Sequence, residues 1–122
     1  MSIVVDDVLG SAFSTKSSLS ADRITVELVG CLDLDTAPLL RHFLVQLTRS
    51  AQAGELLAFE FNIEQLYLMS SSAISHFASW LKGMRTTEHV RQIKFRTNPN
   101  LSWQHRSLDP LRRLASQLVL VE

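Results

Sequence analysis

What most constrains this chain is a change of hydrophobic period repeated along its length. Ile24, Val26 and Leu28 alternate with Thr25, Glu27 and Val29 up to Gly30, the pattern of a strand with one buried face. Leu40, Phe43, Leu44, Leu47 and Ala51 then recur at helical spacing, with Arg41, His42, Thr48 and Arg49 on the other side. Asp35 or Thr36 is placed to cap this helix, Pro38 falls in its first turn and Gly54 closes it. A second strand spans residues 56–61, with Leu57, Phe59 and Phe61 on one face and Ala58 and Glu60 on the other, and residues 62–69 read as a connection. After Ser70-Ser71-Ser72 comes a helix with Ala73, Phe77, Trp80, Leu81 and Met84 inward and Ser75, Ser79, Lys82 and Thr86 outward. A third strand covers residues 93–97, Asn98-Pro99-Asn100 turns the chain, Asp109-Pro110 opens a last helix, and residues 118–121 form a terminal strand.

Strands alternating with helices predict a parallel arrangement. Sheets covered on both faces read as continuous apolar runs, whereas here Thr25, Glu27, Glu60, Lys94 and Arg96 mark a second face that is partly wet. The expected fold is therefore α/β, with a mixed, largely parallel β-sheet of four to five strands and helices mainly on one face. Residues 1–20 are expected to add a strand or hairpin through Ile3-Val4-Val5 and Val8-Leu9 beside residues 24–29, while the polar run Ser14 to Ser20 reads as a strand edge or turn.

At 122 residues without repeat or linker, residues 1–122 are expected to form one domain. Twelve Lys and Arg balance twelve Asp and Glu, so no net basic field draws the chain to nucleic acid or anionic lipid. No apolar run has the length of a membrane span, and the start lacks the pattern of a signal peptide; the expected location is the cytoplasm. The lone Cys31 forms no internal disulfide, and His42, His76, His89 and His105 lack metal-ligand spacing. No metal is expected.

Two loops at the carboxyl ends of strands, each feeding a helix, carry the functional signal: Gly30-Cys31-Leu32-Asp33-Leu34-Asp35-Thr36-Ala37 and Leu68-Met69-Ser70-Ser71-Ser72-Ala73-Ile74. In these loops and in element order from Ile24 onward, the chain resembles the STAS domains, named for sulfate transporters and anti-sigma factor antagonists. The resemblance rests on Gly-x-Leu-Asp before a Thr-Ala helix start, and on a serine loop before the second helix. In the bacterial antagonists that loop is usually Asp-Ser-Ser-Gly, and the serine after the aspartate is phosphorylated. Ser70 takes the aspartate position, Ser71 the phosphorylated serine, Ser72 the second serine and Ala73 the glycine. Asp33 matches the acidic residue beside that serine, and Asn62 falls where an aspartate usually ends the central strand.

The resemblance implies a non-enzymatic regulator. Its partner-binding face would comprise Gly30, Asp33, Asp35, Thr36, Ser70, Ser72 and Ser75, with Ser71 phosphorylated by a histidine-kinase-like serine kinase (an anti-sigma factor) and restored by a PP2C-type phosphatase. The kinase supplies ATP, so no cofactor is expected; a homodimer is left open. A phosphate at a helix start gains only about 0.3–1 kcal/mol, and about 2 when partly buried, too little to refold the domain. An unpaired dianion in an interface costs several kcal/mol, so the switch would act by blocking contact. The three serines also suit plain helix capping, and with Ser70 in place of the acid an unmodified adaptor or assembly subunit of a signalling or lipid-transport complex is the alternative. A small hydrolase using Ser71 or Cys31 is remote, because His76 is poorly aimed to take a serine proton. Trp80 reads as core, and Trp103 as an exposed contact or a cover for the sheet end.

Overall fold

The computed structural model describes residues 5–53, 56, 58–87 and 90–122. Element order is β1 (Phe13–Ser20), β2 (Arg23–Leu32), α1 (Ala37–Ala53), β3 (Ala58–Met69), α2 (Ser71–Met84), β4 (Gln92–Arg96), α3 (Trp103–Leu114) and β5 (Val119–Val121). The five strands form one sheet in sequence order, with β1 antiparallel to β2 and every later pair parallel. Each crossover steps the same way, so the right-handed rule sets all three helices on one face, as expected from the one-sided strands.

The helix face is the core. Every apolar position predicted for α1 and α2 is buried, and Phe59, Phe61, Phe77, Phe95 and Trp80 pack ring against ring with centroids 5.3–5.5 Å apart. On the other face Glu60, 14% exposed at its side chain, gathers Arg23, Lys94 and Arg96 at 3.4–3.9 Å. This half-wet charged surface is the one that Thr25, Glu60, Lys94 and Arg96 implied.

Several boundaries differ from the sequence reading. The polar run is itself strand β1, and Val5, Val8 and Leu9 lie outside any strand. Serines suffice there because β1 is an edge strand, pinned by preceding residues rather than by a second sheet neighbour. Thr15 N donates to Val8 O at 3.0 Å, and Asp7 accepts from Ser17 N, Ser17 Oγ and Thr15 Oγ1 at 2.7–3.1 Å. β2 runs past Gly30 to Leu32, because Gly30 takes φ +105° and lets Cys31 N reach Ala12 O at 2.9 Å.

The supposed connection 62–69 is strand. β3 carries two extra residues relative to β2, one between Asn62 and Gln65 and one between Leu66 and Leu68. Burial therefore shifts from every second residue to Ile63, Leu66 and Met69, every third, which hides the strand from a period-two reading. β4 pairs with β3 only as far as Asn62. Beyond it, Gln104 Nε2 donates to Ile63 O at 2.7 Å and Leu66 O at 3.0 Å, and Asn98 Nδ2 donates to Glu64 O at 3.0 Å. Asn62 does not end the strand; its Oδ1 accepts from Glu64 N at the first bulge.

The last helix starts at Trp103, so Pro110 lies inside it. Pro110 is exposed, and Gln104, Leu108, Leu111 and Ala115 hold the helix inward. Trp103 is partly buried against the core, its indole N–H without a partner among the described residues. Gly54, Leu57, His89 and the Ile3-Val4 pair lie outside the described residues.

Candidate functional site

The two predicted loops meet at the carboxyl end of the sheet. Cys31 and Leu32 pair with Leu68 and Met69, and Ser70 N donates to Leu32 O at 2.7 Å. That bond ties the residue before Asp33 to the residue before Ser71.

The first loop is organised by Asp33, not by Asp35. Asp33 Oδ1 accepts from Asp35 N at 3.0 Å, Thr36 N at 2.9 Å and Thr36 Oγ1 at 3.1 Å. Thr36 Oγ1 in turn accepts from Asp33 N at 2.9 Å and lies 2.8 Å from Cys31 O. The expected cap at Asp35 or Thr36 is thus replaced by a carboxylate further back, while Asp35 points to solvent. The bonds from Thr36, backbone and hydroxyl, hold the Asp33 carboxyl below the ordinary aspartate range. Thr36 is buried and Gly30 half-buried, so both shape the loop from beneath. Asp33 is half-buried, and Leu34 stands 74% exposed at the loop tip.

In the second loop the serines divide their roles. Ser70 is the N-cap of α2 (φ −68°, ψ 162°), its Oγ accepting from Ala73 N at 3.2 Å. Ser71, the first helical residue, is exposed, and its hydroxyl bonds to no described residue. Ser72 is half-buried and Ser75 exposed one turn on. Ala73 is fully buried in the core cluster, so a methyl is accommodated where the resemblance implied glycine.

Sequence reasoning missed the apolar part of this surface. Leu34 and Leu68, 74% and 48% exposed, flank the loops, with Tyr67 at 57%. No periodicity marks Leu34 in its turn, and Leu68 lies beyond the second bulge. His76, on the helix that Ser71 starts, lines a groove with Arg41 and Thr48 of α1. A larger cleft of about 490 Å³, between Met84, Val90 and Leu118, lies at the opposite end of the sheet. Among the described residues there is no cluster of three metal-ligating side chains, and no helix is long and apolar enough to cross a membrane.

No family model and no curated protein matches the sequence. Solved structures do match the fold. An anti-sigma factor antagonist from Mycobacterium paratuberculosis superposes with a TM-score of 0.63 at 16% identity, over 89% of this chain and 85% of its own. The anti-sigma factor antagonist SpoIIAA in its unphosphorylated form gives 0.61 at 13% identity over 88% of this chain and 87% of its own. The Bacillus cell fate determinant SpoIIAA in the phosphorylated form gives 0.60 at 16%, over 91% of each. These likenesses span most of both chains, and the mostly parallel five-stranded sheet with three helices is the SpoIIAA-like STAS fold of the anti-sigma factor antagonists.

Proposed function

We propose that this chain is a regulatory protein-binding domain of the anti-sigma factor antagonist type, acting in the cytoplasm and switched at Ser71. Its partner is a histidine-kinase-like serine kinase, and a PP2C-type phosphatase resets it. The carrying observation is the bond from Ser70 N to Leu32 O, which sets an exposed, unbonded serine hydroxyl at a helix start next to the Asp33 loop. Ser70 already performs the capping, so Ser71 is left with no structural duty. The site has the character of a contact face: Leu34 and Leu68 offer apolar area, while Asp33, Asp35 and Ser75 supply polar edges.

A phosphate on Ser71 would be received by the open N–H groups of the α2 start with little change of fold. Its two negative charges would stand in the partner contact, at the same end of the sheet as the acidic Asp33 loop. Desolvation and repulsion then expel the partner. Ser71→Asp is expected to weaken kinase binding about 100-fold or more by calorimetry, and Ser71→Ala to bind as wild type does. Equal binding by all three chains would overturn the switch. That result favours an unmodified adaptor or assembly subunit, the reading suggested by Ser70 at the position of an acid.

A further inference from the structure

Zero net charge conceals a polarised molecule. α1 and α2 contain no Asp or Glu in 17 and 14 residues. Across the three helices Arg41, Arg49, Lys82, Arg106, Arg112 and Arg113 stand against Asp109 alone, and Arg112 and Arg113 already hold Asp109 at 2.7 and 2.8 Å. Arg41, Arg49 and Lys82 are exposed and form no ion pair with a described residue. Asp7 is bound to β1 through Ser17, Asp22 sits between β1 and β2, and Asp33 and Asp35 precede α1, whereas Asp6 is held against α1 by backbone bonds with Gln46 at 2.8 and 3.2 Å. The outward sides of α1 and α2 around Arg41, Arg49 and Lys82 therefore carry net positive charge on a chain of zero formal charge.

Between α1 and α2 this surface is grooved, with a volume of about 350 Å³ lined by Arg41, Val45, Thr48, His76, Ser79 and Trp80. The floor is rigid, because Trp80 is 6% exposed and meets Phe59 and Phe61 edge to face. Val45 is 43% exposed and offers apolar contact. Arg41, Val45 and Arg49 fall on one line of α1 at spacing four, and Ser71, Ser75, Ser79 and Lys82 run along the outward side of α2. The serines are small enough to admit a backbone close to the helix.

We propose that this groove docks an acidic amphipathic helix from a partner protein, with its apolar side on Val45 and Trp80 and its carboxylates toward Arg41, Arg49 and Lys82. Apolar anchors in a groove flanked by complementary charge is a known mode of helix recognition. Cations with no acidic partner among the described residues, set around a recessed floor, select an acidic rod-shaped segment. A bilayer would instead call for apolar side chains that protrude from the surface. The rim pairs are exposed, so each adds little affinity and is weakened by salt; they set the sign of the partner.

The test uses isotope-labelled full-length chain titrated with a synthetic helix of about four turns, leucines on one face and glutamates on the other. Controls are the same peptide with lysine for glutamate, and phosphatidylglycerol vesicles. The acidic peptide is expected to shift the amide resonances of Val45, Thr48 and Ser79 and the Trp80 indole signal. Binding should fall about tenfold in Arg41→Glu/Lys82→Glu and weaken with added salt. Arg41→Gln serves should the double variant fail to fold. Lys16→Gln, a charge removed from the exposed face of β1 away from both helices, should bind the peptide as wild type does. Shifts confined to other surfaces, equal binding of the lysine peptide, insensitivity to the charge variants, or binding to vesicles alone overturns the proposal.

Discussion

Replacing Gln104 is expected to loosen the end of β3 that delivers Ser70 and Ser71. The residue is fully buried, donates to Ile63 O and Leu66 O, and accepts from Asn98 N at 2.7 Å. Gln104→Leu nearly keeps the volume, so cavity formation is a minor cost, but it strips partners from two carbonyls and one N–H. Each polar group left unpaired in the interior costs about 1–3 kcal/mol. Asn98 is half-buried and regains some water, which brings the expected loss to about 3–5 kcal/mol. Against a total stability of about 5–15 kcal/mol for a domain of this kind, the variant folds but is marginal. Urea denaturation reads the change as a lower midpoint at unchanged slope, and hydrogen exchange should locate lost protection at Ile63 to Met69. A loss under about 1 kcal/mol, or protection lost evenly across the sheet, would refute the claim that the Gln104 amide stands in for β4 beside Ile63 and Leu66.

Other substitutions probe the loops. Gly30→Ala would place a Cβ 2.2 Å from Ala12 O at φ +105°, and a thermal melt should show a loss of about 2 kcal/mol or more; an unchanged midpoint contradicts the bulge geometry. The depressed Asp33 carboxyl contributes stability that is complete above the ordinary aspartate value and is lost as pH falls through the lowered one. Asp33→Asn should therefore be less stable at neutral pH and flatter on the acid limb of a melting-temperature profile; parallel profiles refute it. Ser70→Ala should cost about 1 kcal/mol as a lost cap, and Ser71→Ala less than about 0.5; the reverse order would mean the capping duty had been misassigned.

The helical stripes of α1 and α2 and the alternation in β2 and β4 were legible because burial there follows a single period along each element. β3 was half legible, since two bulges replace alternation with the three-residue spacing of Ile63, Leu66 and Met69. β1 was obscured because an edge strand pinned by Asp7 does not require an apolar face. The start of α3 was misplaced because Asp109-Pro110 has the form of a helix opening, while the anchor that begins the helix is a buried polar residue, Gln104. At the site, the serines and Asp33 were visible as residue types in loops before helices. What each does was not: the assignment of capping to Ser70 and loop closure to Asp33 depends on backbone direction. Leu34 and Leu68 are exposed apolar residues whose meaning comes only from their neighbours in space. Net charge, read as a single number, hid the positive charge on the outward sides of α1 and α2 altogether.

The most direct test of the regulatory account is intact mass spectrometry of the chain after incubation with ATP and the histidine-kinase-like serine kinase proposed as its partner. The account predicts one added phosphoryl group on wild type, none on Ser71→Ala, and release of the modified chain from the kinase. A wild-type chain that binds the kinase yet keeps its mass in the presence of ATP, or an alanine variant that gains the group, contradicts it.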